Sequence, residues 1–370
     1  MNKFINMIDK ESWEKRVSLC KDAELRIKNK WLTASGTKAF LRHLPEYKSI
    51  INDCPKKYEI VLNTIIKLYE YAEQMFNLTY DDLNGITKKD VSYKLAMSIN
   101  NQSFIGAICG DIIGSAYEFH KTKDMNFKLF TLRSKFTDDT VMTCAVAEWL
   151  MTDPKHSHEQ LIKIIHEYGK KYPNVSYGTG FRIWLETNKT KPYNSFGNGS
   201  AMRVSPCGYY AQSLNEALQL AKISAEVTHN HPEGIKGAQA VAAAIYMMKT
   251  ASIKNNINIK EIKNFLVKEY SYKMEYSEIE WKNHTEKYTF NETCQGSVPE
   301  AIYCALTSNN YEQAVRKAVS LGGDADTQAA IAGGIAASYT EVPDHILNEC
   351  LDRLDPPLVD VIDRFNESVK

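Results

Sequence analysis

Residues 104–117 read Phe-Ile-Gly-Ala-Ile-Cys-Gly-Asp-Ile-Ile-Gly-Ser-Ala-Tyr, and their spacing decides the fold class. Gly106, Gly110 and Gly114 fall four apart, so a helix here carries three bare positions on one face. Each glycine inside a helix costs roughly 0.5–1 kcal/mol against alanine. A chain that accepts this three times on one face brings another helix, or a ligand, close to the backbone. The same spacing pairs helices in membranes, but Asp111 interrupts the segment and the apolar run is far shorter than the roughly 20 residues a bilayer needs. Residues 325–339 repeat the habit with Ala329, Ala332, Gly333 and Ala336. Helical periodicity also runs through 215–226, 227–250 and 311–321, while period-two alternation is scarce. The expected architecture is all-α, a compact many-helix domain over 99–370 preceded by a helical extension over 1–98.

The extension has a different texture, with only Gly36 and Gly85 and with 17 Lys and Arg against 13 Asp and Glu. Tyr58, Leu62, Ile65, Tyr69, Ala72 and Phe76 recur at helical steps and predict a helix over 56–77, with Asp53 before Pro55 as its start signal. A more polar helix is expected over 12–31, with Trp13, Val17, Cys20 and Leu25 as its apolar members, and a loop at 33–37. Residues 1–30 hold eight basic and five acidic side chains but few apolar anchors beyond Phe4, Ile5, Met7 and Trp13. Part of this arm is therefore expected to project outward and to order on a partner.

Lys+Arg and Asp+Glu balance at 45 each, which removes the global field that a generic nucleic-acid or anionic-membrane binder needs. The N-terminus lacks the apolar run of a secretory signal, and no stretch reads as a membrane span. Eight cysteines form no Cys-x-x-Cys pair and read as buried small hydrophobes in a reducing compartment, so a cytoplasmic protein is expected.

Two short motifs carry the chemistry. Phe136-Thr137-Asp138-Asp139-Thr140 precedes an amphipathic stretch, and Gly322-Gly323-Asp324-Ala325-Asp326-Thr327 opens a helix after a two-glycine turn. Either alone is ordinary capping, a carboxylate at a helix start. Together they place paired carboxylates and threonine hydroxyls at two helix N-termini. If these converge, like charges repel by about 4 kcal/mol per pair at an effective dielectric of 20. Protons or divalent cations must then compensate, and all-oxygen donors select Mg²⁺ or Mn²⁺, or Ca²⁺, over zinc. Gly197-Asn198-Gly199 is a turn signal whose bare backbone also suits a pyrophosphate, with Ser200 as a hydroxyl donor. His229 reads either as a core histidine or as a ligand contact, and His231 as a surface residue.

In this order, the blocks around Gly106–Phe119, Thr137–Thr140, Gly197–Pro206, Thr228-His229 and Gly322–Thr327 resemble the ADP-ribosylglycohydrolase family, over about Ser103 to Val342. The resemblance implies an all-α fold with a binuclear Mg²⁺ site, two ions for which Mn²⁺ can substitute. It implies Thr137, Asp138, Asp139, Asp324, Asp326 and Thr327 as metal ligands. Glu118, Asp139 and Asp324 become the catalytic carboxylates. Gly197, Asn198, Gly199, Ser200, Met202 and His229 would lie along the ADP moiety, with Arg203 structural. The implied activity is Mg-dependent removal of ADP-ribose from modified protein side chains, arginine preferred.

Family members with an added N-terminal arm include bacterial immunity proteins. The alternative is accordingly an immunity protein that also occludes an ADP-ribosyltransferase toxin through the extension. Residues 174–180 lack the acid that other members often place near the acceptor, and 269–293, with six acids and several aromatics, carries no role in the resemblance.

Overall fold

The computed structural model describes residues 10–29, 37, 59–76, 103–254 and 256–369, and all structural statements concern these. Among them are seventeen helices and no strand. The chain divides into two compact units: 1–98 with 355–364, and 99–354 with 365–370.

In the first unit, α1 (Lys10–Asn29) and α2 (Glu59–Phe76) are the helices expected from Ser12 and Lys56 onward. Helix α2 buries Val61, Ile65, Leu68 and Tyr71, one stripe at three- and four-residue steps. Helix α1 buries Cys20 and Ala23, whereas Leu25, expected on its apolar face, is 54% exposed. The buried seam passes through the smaller residue two positions earlier. Asp360, fully buried, is held by Arg26 Nη1 at 2.5 Å and Arg364 Nε at 3.1 Å. Phe4, Ile5, Met7, Trp31, the loop at 33–36 and the Asp53–Pro55 start signal lie outside the described residues.

The second unit runs through α3 (Ser103–Gly114), α4 (Asp138–Thr152), α5 (His158–Lys171), α6 (Thr179–Glu186), α7 (Gly199–Met202), α8 (Ser205–Tyr210) and α9 (Leu214–Glu226). It continues with α10 (Pro232–Ile253), α11 (Ile259–Tyr270), α12 (Glu278–Lys287), α13 (Cys294–Leu306), α14 (Tyr311–Val319), α15 (Ala325–Ala336) and α16 (Asp344–Leu351). A last helix, α17 (Pro356–Ser368), belongs through residue 364 to the first unit.

The two small-residue segments find each other. Every residue of α3 and α15 is buried, and the helices pack backbone against backbone. A Cβ on Gly106 would lie 2.6 Å from Gly333 O, one on Gly110 2.1 Å from Ala329 O, and one on Gly114 2.3 Å from Ala325 O. No side chain fits there. Tyr311 Oη donates to Gly106 O at 2.7 Å and holds the pair from α14. This contact sets the start of α15, with its acidic motif, beside the end of α3.

The helix read over 227–250 begins at Pro232, because proline opens it and His231 Nδ1 accepts from Glu233 N at 3.1 Å. His231 is therefore a part-buried cap, not a free surface residue. Seven described cysteines are buried and outside any disulfide. No described helix is long and apolar enough to cross a membrane.

Candidate active site

The site grows from Asp111, fully buried near the end of α3. Its carboxylate accepts from Thr137 N (2.9 Å), Thr137 Oγ1 (2.7 Å), Thr140 N (3.1 Å) and Thr140 Oγ1 (2.5 Å). This explains the spacing in Thr-Asp-Asp-Thr. The threonines at the cap and third residue of α4 grip Asp111, and the two aspartates between them are left for the site. Thr137 Oγ1 also accepts from Asp139 N at 3.2 Å, which caps the helix.

Asp139 is 3% exposed. Its Oδ2 accepts from Thr327 Oγ1 at 3.3 Å, and its Oδ1 is buried with no hydrogen-bond partner among the described residues. Asp324 Oδ2 accepts from Asn198 Nδ2 at 2.8 Å, and Asp326 Oδ1 from Thr327 N at 2.9 Å. Carboxylate oxygens of Asp111, Asp139 and Asp326 lie within 4.8 Å of one another, and so do those of Glu118, Asp324 and Asp326. Asp326 belongs to both groups.

Crowding and burial dominate the electrostatics. Burial first, then repulsion from neighbouring carboxylates, holds Asp138, Asp139 and Asp326 well above the usual range. Burial raises Asp111 and Asp324 to about 6, against the hydrogen bonds that lower them. Glu118 is pushed up to about 8 by burial and then by Asp326. The orphaned Asp139 oxygen, on a residue of one of two all-carboxylate groups that overlap at Asp326, fits a hard divalent ion: oxygen donors suit Mg²⁺ or Mn²⁺, and no thiolate or imidazole belongs to either group.

Glu118, Asp138, Asp139, Asp324 and Asp326 line a cleft of about 770 Å³, together with Thr327, Gly197–Gly199, Met202 and His229, while Asp111 lies behind them. The glycine loop is held from outside: Asn198 N donates to Glu292 O (2.8 Å) and Cys294 N to Phe196 O (2.9 Å). A Cβ on Gly199 would lie 3.0 Å from His229 Nε2, so glycine lets loop and ring meet. His229 Nδ1 pairs with Thr228 Oγ1 at 2.7 Å, which itself accepts from Arg203 Nη2 at 3.0 Å. The tautomer in which Thr228 donates to Nδ1 puts the ring proton on Nε2, toward the glycine loop. Burial and then Arg203 hold His229 well below its ordinary range, so the ring is neutral. Arg203 is 1% exposed and also donates to Ser224 O at 2.5 Å, an internal tie.

Two residues read as substrate contacts are otherwise engaged. Ser200 is fully buried and gives its hydroxyl proton to Gly234 O at 2.7 Å, because the turn into α7 points it at α10. Asn198 spends its amide on Asp324 and on Ser297 Oγ (3.2 Å), which leaves the loop backbone to face the cleft. Asp111 and Thr140 were not singled out by sequence reasoning. Their signal is an aspartate in an otherwise apolar helix and a second threonine three residues after the first.

Residues 102–369 match the family model described as ADP-ribosylglycohydrolase. The chain is 25% identical over 315 residues to ADP-ribosylhydrolase ARH3 of Homo sapiens, across 66% of this chain and 87% of that protein. It is 22% identical over 259 residues to the ADP-ribosylarginine hydrolase Tri1 of Pseudomonas putida, across 64% and 69%. A solved structure titled ADP-ribosylglycohydrolase-related protein complex has a TM-score of 0.48 at 18% identity, over 72% of this chain and 98% of that one.

Proposed function

This chain belongs to the ADP-ribosylglycohydrolase family, and on that premise we propose that it is a divalent-cation-dependent hydrolase that frees ADP-ribose from modified protein side chains, with arginine as the acceptor. The observation that carries the reading is the pair of carboxylate groups sharing Asp326 in a cleft walled by the glycine loop. Asp138, Asp139, Asp324 and Asp326, with Thr137 and Thr327, would hold two Mg²⁺ or Mn²⁺ ions. When bound, the ions supply charge compensation, orientation of ribose hydroxyls and a lowered pKa for water at the site. Asp111 fixes the start of α4 and so the aim of Asp138 and Asp139. Glu118, at the cleft edge and ionised once bound cations offset the burial and neighbouring carboxylates that raise its pKa, would take a proton from the attacking water as the C1–O bond forms and the C1–N bond breaks, and return that proton to the leaving guanidino nitrogen. With its proton on Nε2, His229 would donate a hydrogen bond to the diphosphate, and the bare backbone of Gly197 and Gly199 lets that group approach.

Arginine as the acceptor rests on similarity to the ADP-ribosylarginine hydrolase of Pseudomonas putida. Incubation with arginine-, serine- and cysteine-linked ADP-ribosylated proteins tests it. Loss of label from the arginine substrate alone is expected, and loss only from another linkage overturns that part of the reading.

A second reading gives residues 1–98 a partner-binding task, since they lie outside the matched span 102–369. The partner would be an ADP-ribosyltransferase whose NAD cleft the arm blocks. Hydrolysis-dead Asp139→Ala protein, with and without residues 1–30, separates the two: equal inhibition of the transferase by both forms ends this second reading.

A further inference from the structure

The segment between α11 and α13, which no motif explained, is tied to the Gly-Gly turn by one side chain. Lys123 lies five residues after Glu118 on an exposed loop. Its Nζ donates to Thr285 O (2.6 Å) and Tyr288 O (2.8 Å) at the end of α12, and to Leu321 O. An ammonium has three protons, and here all three meet main-chain carbonyls.

Leu321 is the residue before Gly322-Gly323-Asp324. Gly322 has φ +67°, and a Cβ there would sit 3.0 Å from Lys123 Cε. A Cβ on Gly323 would sit 2.6 Å from the Tyr288 ring. The two glycines are thus required by the two residues that grip the turn, beyond the backbone angle alone. Tyr288 continues the contact: its hydroxyl donates to Gly296 O at 2.6 Å and accepts from Gln328 Nε2 at 2.9 Å. Gln328 follows Thr327 on α15. Past Tyr288 the same segment reaches Glu292, whose carbonyl holds Asn198.

From this convergence we infer that Lys123 is a positioning residue that sets the Asp324 and Asp326 carboxylates by clamping the end of α12 to the Gly-Gly turn. The inference rests on the reading of these carboxylates as cation ligands. Residues that orient ligands from behind typically change metal affinity by about 10–100-fold when removed. Lys123→Met keeps the stem and removes the three donors.

The test titrates metal-free, full-length protein with Mn²⁺ by calorimetry. Lys123→Met is expected to bind Mn²⁺ about tenfold more weakly than the parent, while Lys128→Met on the same loop binds it as the parent does. Unchanged Mn²⁺ affinity in Lys123→Met overturns the inference, even if the variant melts at a lower temperature. Should Lys123→Met fail to fold, Tyr288→Phe removes only the hydroxyl bridge to Gly296 and Gln328. A weaker Mn²⁺ affinity supports the clamp there, and an unchanged one rejects it. Failure of the parent itself to bind Mn²⁺ would instead defeat the cation reading, and the clamp with it.

Discussion

Asp326→Asn is expected to stabilise the protein when no divalent ion is present, although it removes a central group of the proposed site. Asp326 belongs to both carboxylate groups, with oxygens within 4.8 Å of those of four other acids. Two unit charges at that distance repel by about 3.5 kcal/mol at an effective dielectric of 20. Proton uptake by Asp326 itself and by its neighbours, all of whose pKa values are raised, relieves part of this and leaves about 1–3 kcal/mol. Asparagine keeps an oxygen to accept from Thr327 N, so little is lost in return. In a chain of this size the gain is a melting-temperature rise of about 1–4 °C in chelator.

The pH dependence has a definite sign. Asp111, Asp324 and Glu118 have raised pKa values in the folded protein, so between about pH 4 and 8 the folded state holds more protons than the unfolded one. Stability contributed by these groups is present at the acid end and falls as pH rises through that window. The advantage of Asp326→Asn should therefore be largest near pH 8 and small near pH 4. Mg²⁺ should raise the melting temperature of the parent and leave the variant nearly unmoved. Differential scanning fluorimetry in EDTA and in Mg²⁺ across this range reads all three. A variant less stable than the parent in EDTA at pH 8, or equally stabilised by Mg²⁺, refutes the electrostatic account.

Three further outcomes follow from the packing and the hydrogen bonds. Gly110→Ala drives a methyl into Ala329 O at 2.1 Å and should cost about 3 kcal/mol or more in urea unfolding; a loss under about 0.5 kcal/mol would contradict the α3–α15 contact. Thr140→Val removes the 2.5 Å bond to Asp111 and should lower stability by about 1–2 kcal/mol while weakening Mn²⁺ binding several-fold in calorimetry; no change in either would show that Asp111 is not held as described. His229→Ala should weaken ADP-ribose binding by about 10–100-fold with Mn²⁺ affinity intact, and because the parent ring is neutral its imidazole NMR resonances should show no protonation step from about pH 6 to 8; protonation of that ring in the interval would contradict the assigned neutral form.

The helical architecture was legible because its cause is local. Gly106, Gly110 and Gly114 announce a close approach by their spacing alone, though which element approaches is a tertiary fact. Convergence of Asp139 and Asp326 was different: nothing in the 186 intervening positions states a distance, and only resemblance of the ordered motifs suggested it. Asp111 was missed because its four donors lie 26 and 29 residues downstream, so its residue type gives no hint of its partners. Ser200 shows the converse. A serine in a glycine-rich turn looks free until the carbonyl of Gly234, 34 residues on, is seen to take its proton. Leu25 fails by helix phase, since a sparse polar helix leaves its buried stripe poorly defined.

The most direct measurement counts divalent ions and product in one sample. Metal-free protein carrying arginine-linked ADP-ribosylated substrate is titrated with Mn²⁺, and bound ion and released ADP-ribose are followed together. The account predicts saturation at two ions per chain, release that appears only as they bind, and loss of both in Asp139→Ala. Release at full rate in chelator, or undiminished release by Asp139→Ala, would contradict it.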